Sequence, residues 1–575
     1  MRFPVDRRWG RHSACQAFQG LMILFVLAGC ALFAQSDDIA VPPPKPLEVP
    51  DRIGVLGAVQ LGLPEVIQRV LASDRDLVIS RIAREEAAYN VNGAKGVYDP
   101  RVGMNANRTR AVTPVSSLIG GSSDGKLSQE QYLADPYISG SFPVGGGTYK
   151  LDFSSARQTS DSTFLTLNPQ YPTAVTLNLT QPLWRGLLYD DNRHRIGVAK
   201  KNVQLTDEQF RQEIIQVVTQ AVQSYWELDY AYRNLGVQIE AVRLAEQQDA
   251  SNRRQVQQGL LAPIDVVATQ TQIATFQQDV FLAQQAVTVA ENALKTLMLP
   301  DRTDLMWGMA LVPQGSADNS KPLPTLEEAL KSALAARPEL AQSAISIDIN
   351  KLDTRLSREQ TKPQIDAVGS LGTVGLAGRQ FAAGPNPLTA SFLPFINGID
   401  TLNGLNGLPP IVIPSTGGVP PFLVGGYGQS LHELASGNFT SAQIGVQISV
   451  PLRNRTAEAN LAVSQAEGRR LMAQQQQVQM AVEQDVRNSL QTAASARARL
   501  DAAVTARQYA EQQYASEQRQ FQAGTSTVFL VLQRQTDLIA ARTREVRARA
   551  DLGEAQAGLD RATARTIEAQ GIQIK

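Results

Sequence analysis

The chain has 575 residues, 54 basic and 54 acidic side chains and three histidines, so its formal charge is zero. Beyond the first dozen residues no strongly basic stretch occurs, which leaves no electrostatic grip on nucleic acid. Cys15 and Cys30 both fall near the N-terminus, so the rest of the chain has no thiol pair for a disulfide and no thiol cluster for a metal.

Residues 1–34 read as an export signal, with Arg2, Arg7, Arg8 and Arg11 ahead of a short apolar run from Leu21 to Leu27. Two cleavage points are compatible with it. One lies before Cys30, where Leu27-Ala28-Gly29-Cys30 resembles a lipobox and the cysteine would be acylated; the other follows Ala34. Residues 35–55 are a Pro-rich linker, since proline removes a backbone donor and fixes φ. No later window reaches the roughly 18 consecutive apolar residues of a membrane-spanning helix. The mature chain is therefore either soluble or crosses a membrane as a β-barrel.

From residue 56 on, the chain repeats itself at a spacing of about 265 residues. LPEVIQRVLASDRDL at 63–77 is answered by LEEALKSALAARPEL at 326–340. QPLWRG at 181–186 is answered by VPLRNR at 450–455, and AEQQDASNRRQVQQG at 245–259 by AEQQYASEQRQFQAG at 510–524. The expected organisation is a first repeat over 56–315 and a second over 316–575.

Each copy opens on a helical pattern and then alternates with period 2, as in Val102, Met104, Ala106 and Val175, Leu177, Leu179 of the first and Ile444, Val446, Ile448, Val450 of the second. Strands are expected near 99–110, 172–183, 363–375 and 439–452, each about ten residues long, enough for a tilted strand to cross a bilayer. Tyr149, Leu151 and Phe153 alternate after the turn signal PVGGG, so residues 136–157 are a further hairpin candidate. Residues 380–435, rich in Gly, Pro and Asn, show no periodicity and suit a long extracellular loop better than a compact soluble domain.

After Pro182-Leu183 and Pro451-Leu452 come helices of unusual length, with apolar residues at three and four spacings: Phe210, Ile214, Val217, Ala221, Tyr225 in one and Val478, Val482, Val486, Leu490, Ala493 in the other. Nearly seventy residues make a rod of about 100 Å. The narrow, Ala-rich stripe calls for lateral coiled-coil packing. Each rod stops at a glycine, Gly259 or Gly524, and a second helical stretch comes after it, giving hairpins near 190–298 and 454–568.

The doubled opening helix, PLWRG at 182–186, and the tips GLLAPIDVV at 259–267 and AGTSTVFLVL at 523–532 together resemble the TolC family of outer-membrane efflux proteins, over about residues 55–570. The resemblance implies a mainly α fold with membrane β: two tandem repeats, each with two barrel strands and a long coiled-coil hairpin. It further implies a homotrimer sharing a twelve-stranded barrel and a periplasmic α-barrel. On that reading the chain is not an enzyme and needs no cofactor or metal. It sits in the bacterial outer membrane with a long periplasmic portion and contacts outer-membrane lipid. It serves as the exit duct of a tripartite efflux or type I secretion system, with a periplasmic adaptor and an inner-membrane pump as partners. A periplasmic adaptor or a structural coiled-coil protein are the rival readings.

Adaptor docking or gating falls, by the resemblance, on Gly259, Leu260, Leu261, Asp265, Phe521, Gly524, Thr525, Ser526, Leu530 and Gln533. Asp265 matches a family gate aspartate whose partners on the other hairpin are a tyrosine and an arginine; here those places hold Phe521 and Ser526. Many members carry acidic residues where this chain has Leu530 and Gln533, so a looser or apolar constriction is expected. Pro182, Trp184 and Pro451 mark the junction of barrel and helix. Trp184 and Tyr189 are read either as a periplasmic aromatic girdle or as buried side chains. His194 and His432 are expected at the surface, and Asp190 and Asp191 at the positive end of the long helix.

Overall fold

The computed structural model describes residues 42, 44–116, 125–162, 164–315, 322–381, 387–411 and 419–572. The expected signal, both of its cleavage points and the acylation site at Cys30 lie outside the described residues.

Strand β1 (Gly57–Gly62) leads into helices α1 (Leu63–Ser73) and α2 (Arg75–Lys95), four strands β2 (Arg101–Pro114), β3 (Lys126–Ser141), β4 (Thr148–Ser160) and β5 (Leu167–Pro182), and helices α3 (Asp191–Gln257) and α4 (Pro263–Met298). The second half has β6 (Met309–Gln314), α5 (Leu326–Ala336), α6 (Pro338–Gln360), β7 (Gln364–Gln380), α7 (Pro387–Leu405), α8 (Tyr427–Ser436), β8 (Thr440–Ser449), α9 (Arg455–Gln522) and α10 (Val528–Ala562). Local chemistry sets the boundaries. The Asp74 carboxylate accepts from the Asp76 and Leu77 amides to open α2, and Thr325 with Glu328 forms a capping box on α5. Among the described residues no helix is long and apolar enough to cross a membrane.

The principal sheet is antiparallel in the order β2-β3-β4-β5-β7-β8, and β1 and β6 form a separate parallel pair. Strand β5 pairs with β7 from Leu167/Gln380 to Pro182/Asp366, so the two halves share one sheet. The first half contributes four strands to it rather than two, because the PVGGG segment does close a hairpin. Gly145 and Gly146 both take positive φ in that turn. The Gln181 side chain donates to the Gly145 carbonyl at 2.7 Å, and a Cβ on Gly146 would stand 2.6 Å from the Gly186 carbonyl oxygen.

The segment between β7 and β8, expected to lack periodic structure, holds α7 and α8. Helix α8 is stabilised by the sheet beneath it more than by its own sequence. Thr173 and Ser430 share a hydroxyl–hydroxyl bond of 2.8 Å, and the Thr373 hydroxyl donates to the Leu434 carbonyl at 3.3 Å. At Gly375 a Cβ would lie 2.1 Å from the Ser430 carbonyl oxygen, so only glycine admits the helix this close.

The chain divides into two compact units. The hairpin unit takes residues up to Arg52, Ala231–Val287 and Ala503–Val546; the sheet unit takes Ile53–Tyr230, Thr288–Ala502 and Arg547 onward. One core of the hairpin unit gathers Ala241, Val242, Ala245, Ile273, Phe276, Val280 and Ile539, with Leu47 of the Pro-rich segment packed against it. In the sheet unit Ala329 and Ala333 of α5 meet Val482 and Val486 of α9 and Ala562 of α10. There too Lys295, at 1% exposure, donates to Glu291 at 2.6 Å and to the Trp307 carbonyl at 3.0 Å, while Glu291 accepts from the Leu311 amide at 3.1 Å.

Candidate functional site

Register alone gives the sheet two unlike faces, since residues paired across strands share a face. Val102, Ile138, Leu151, Leu177 and Leu371 form one cross-strand row, with Met104, Leu179, Ile444, Val446 and Ile448 on the same face. Val102 is 79% and Ile444 93% exposed. An apolar surface of this extent belongs against lipid or another protein. The opposite face carries Arg101, Asn105, Asn107, Thr109, Lys150, Asp152, Thr176, Asn178, Thr180, Ser370, Gln443 and Gln447. On it Lys150 pairs with Asp152 at 2.9 Å and stands 5.2 Å from the Tyr137 ring centroid.

At the junctions Pro182 ends β5, Trp184 is half exposed, and Pro451 lies between β8 and α9. Tyr189 is buried, with the Arg355 guanidinium 4.4 Å from its ring centroid; of the two readings for it, burial is the one observed. Burial also pushes its hydroxyl above the ordinary tyrosine range. Asp190 accepts from the Arg193 amide at 2.7 Å and so caps α3, while Asp191 pairs with Arg195 one turn on. His194 departs from the surface expectation, being largely buried with its Nε2 2.7 Å from Asp353; His432 is exposed.

The two hairpin tips are closed by the same bonds. Gly259 takes φ +75° and Gly524 φ +79°. The Gly259 amide donates to Val256 and the Leu260 amide to Gln255, as the Gly524 amide does to Phe521 and the Thr525 amide to Gln520. Nothing lies within 4 Å of a Cβ built at either glycine, so left-handed backbone, not crowding, requires them.

Around these matched turns the side chains differ. Leu260 is 71% exposed, whereas Leu261 packs into a cluster with Tyr514, Phe521, Val528, Val531 and Leu532. Phe521 is thus core, and burial pushes the Tyr514 hydroxyl up while Arg542 opposes it. Ser526 donates to Glu517 on its own hairpin. The Asp265 side chain makes no hydrogen bond or ion pair among the described residues, and Leu261, not Asp265, is what joins Phe521. Leu530 is partly exposed and Gln533 bonds to Asp537 at 3.2 Å.

One feature of the tip escapes sequence reading. Gln248 donates to Asn252 at 2.7 Å, Asn252 to the Thr269 hydroxyl at 2.8 Å, and that hydroxyl to the Asp265 carbonyl at 2.8 Å, all beneath the first tip with Asn252 and Thr269 fully buried. The signal was the stripe itself, which runs Val242, Ala245 and then turns polar at Asp249 and Asn252 while keeping its spacing. The second hairpin instead binds α9 to α10 through ions: Arg507 meets Glu511 at 2.7 Å and also Glu545, and Arg542 meets Glu511 at 3.1 Å. Among the described residues no group of histidines, cysteines and acids is placed to hold a metal.

A family model described as outer membrane efflux protein matches residues 148–298 and 419–565. Solved structures of similar fold include the outer-membrane channel OprN, at 14% identity and TM-score 0.59, covering 87% of this chain and 89% of that one. The CmeC outer membrane channel of Campylobacter jejuni is also 14% identical with TM-score 0.59, over 92% and 99% of the two chains. CusC is 15% identical with TM-score 0.58, over 91% and 96%. No curated protein matches the sequence. At these identities the structural likeness is one of fold.

Proposed function

Since the chain belongs to the outer membrane efflux protein family and lies in the bacterial outer membrane with a long periplasmic portion, we propose that it is the passive exit duct of a tripartite efflux or type I secretion system. The observation that carries this reading is the two-faced sheet with unpaired edges. Its apolar face suits lipid and its polar face suits water, but among the described residues β2 and β8 each leave an edge unpaired. Open edges are not tolerated in hydrocarbon. A homotrimer in which β8 of one copy pairs with β2 of the next removes all of them.

The six sheet strands among the described residues of each chain give that barrel roughly eighteen strands, wider than the twelve that four strands per chain imply, and in the range where barrels keep an aqueous lumen. Conduction through such a lumen needs positioning of polar side chains, not catalytic groups. The energy and the choice of cargo then come from an inner-membrane pump.

Docking of a periplasmic adaptor is assigned to the tips, where Leu260, Ile264 and Phe529 are each about 70% exposed beside Gly259, Gly524 and Thr525. Asp265, whose side chain makes no bond among the described residues, suits a constriction held by packing through Leu261 and Phe521. Outer-membrane fractions should yield heat-modifiable trimers that conduct in planar bilayers with little block by multivalent cations. Leu260→Asp should abolish adaptor co-purification at unchanged conductance. A monomer soluble in the periplasm, or trimers that do not conduct, would overturn the proposal.

A further inference from the structure

Toward the strand ends remote from α2, the apolar face of the sheet changes character. Above Val102, Met104 and Ala106 on β2 come Arg108 and Arg110; above Ile138, Pro136 and Ala134 on β3 come Tyr132 and Glu130; above Leu151 and Phe153 on β4 come Ser155 and Arg157. Arg108, Tyr132 and Arg157 stand directly opposite one another across three strands. The Arg108 guanidinium lies 5.2 Å from the Tyr132 ring centroid, and the two arginines are two strand spacings apart, about 10 Å.

These residues border a shallow depression of about 530 Å³ that Ala106 and Ala134 keep open by their small size, with Tyr171 on one side. Helix α8 supplies another wall through Tyr427, whose hydroxyl accepts from Ser155 at 2.8 Å. Among the described residues the carboxylate bonded within the row is Glu130, which takes Arg108 at 2.6 Å and the Tyr132 hydroxyl at 3.1 Å. Arg157 is exposed and makes no ion pair among the described residues. Two guanidinium groups, those of Arg108 and Arg157, therefore line the depression, and of these only Arg108 is paired with a carboxylate among the described residues.

We propose that this depression binds the phosphorylated headgroup of a glycolipid in the outer leaflet. Guanidinium groups recognise phosphate through paired, charge-assisted bonds, and tyrosine rings bridge the sugar and acyl levels at a membrane interface. A lipid is favoured over a free anion because the basic row continues directly into exposed apolar residues on the same face. Val102, Met104 and Leu151 lie where acyl chains would run beneath a headgroup seated at Arg108 and Arg157. Helix α8, locked to the sheet through Ser430 and Thr173, gives the pocket a rigid side.

The test uses the full-length protein, delipidated in detergent and reconstituted in phosphatidylcholine vesicles containing bisphosphorylated lipid A or its dephosphorylated form. Bound lipid is read by native mass spectrometry. Retention of the phosphorylated form is expected, falling about tenfold in Arg108→Gln/Arg157→Gln, and unchanged in Arg101→Gln on the opposite face. Ala106→Trp, which fills the depression and leaves both arginines in place, should lose retention equally and serves if the double variant does not insert. Equal retention of the two lipid forms, retention unchanged in the variants, or displacement of the lipid by inorganic phosphate, which would mark a simple anion site, would each overturn the proposal.

Discussion

Gln277 donates its side-chain amide to the backbone carbonyl of Lys45 at 3.0 Å. One heptad to either side along α4, Gln270 donates to the Pro42 carbonyl and Gln284 to that of Pro50. The Pro-rich segment read as a linker is thus strapped along the first hairpin. Proline suits it, since an extended chain with few amides of its own offers its carbonyls to side chains. About 265 residues on, the second hairpin has Gln535, which is buried and donates to the Ala241 carbonyl, and Arg542, which binds Glu511.

Releasing the strap should expose Leu47, which packs against the hairpin core. With Leu47→Cys as reporter, Gln270→Ala/Gln277→Ala is expected to raise the rate of maleimide labelling about thirtyfold, since the two lost bonds contribute about 1 kcal/mol each. An unchanged rate would mean that the bonds of Gln270 and Gln277 do not hold the segment.

The tip glycines should respond to backbone conformation only. Gly259→Ala and Gly524→Ala are each expected to destabilise their turn by about 1–2 kcal/mol, seen as faster hydrogen exchange in the last turns of α3 and α9. Asparagine at either place should cost much less, because it enters the left-handed region more readily. If alanine and asparagine behave alike, φ is not what selects glycine.

Removing one member of the buried Lys295–Glu291 pair should be far worse than removing the charge of both. Lys295→Met leaves the Glu291 carboxyl buried without its cation, at a cost of about 3–5 kcal/mol. Glu291→Gln/Lys295→Met keeps an oxygen for the Leu311 amide and should recover most of the loss. Urea unfolding of the three proteins checks the order.

Burial holds the Glu554 carboxyl above the usual glutamate range, with Arg547 opposing. A raised value means that folding favours the protonated form. The contribution is therefore fully present below the ordinary glutamate range and lost as pH rises through the raised value. Glu554→Gln should be more stable than the parent at pH 8 and match it at pH 4 in denaturant titrations; a larger advantage in acid would reverse the sign and reject the account.

Features carried by one segment's own residues were the ones legible in the sequence. The long rods followed from their three-four stripe, the tips from Gly259 and Gly524, and the strands around Val102 and Ile444 from clean alternation. The reach of strand β3 back from residue 136 to Lys126 was not legible because its faces are mixed: Tyr132, Ala134, Pro136 and Ile138 on one, Gln131, Leu133, Asp135 and Tyr137 on the other. Helix α8 hid among glycines and prolines because its support comes from Thr173, Thr373 and the bare backbone at Gly375. At the tip, Phe521 read as a gate position by resemblance, yet its aromatic bulk is better satisfied among Val528, Val531 and Leu532 than facing water. Nothing local to residue 521 distinguishes the two.

The seam between β5 and β7 bears on how such a chain can be divided. Each side of it comes from a different half, and the paired backbone runs nearly the whole length of both strands. A gene cut between β6 and α5 should therefore yield two pieces that are each left with a raw strand edge and that recover the fold only when co-expressed. Fragment complementation at this seam would make assembly of the barrel wall controllable from outside, by withholding one piece until the other has reached the membrane.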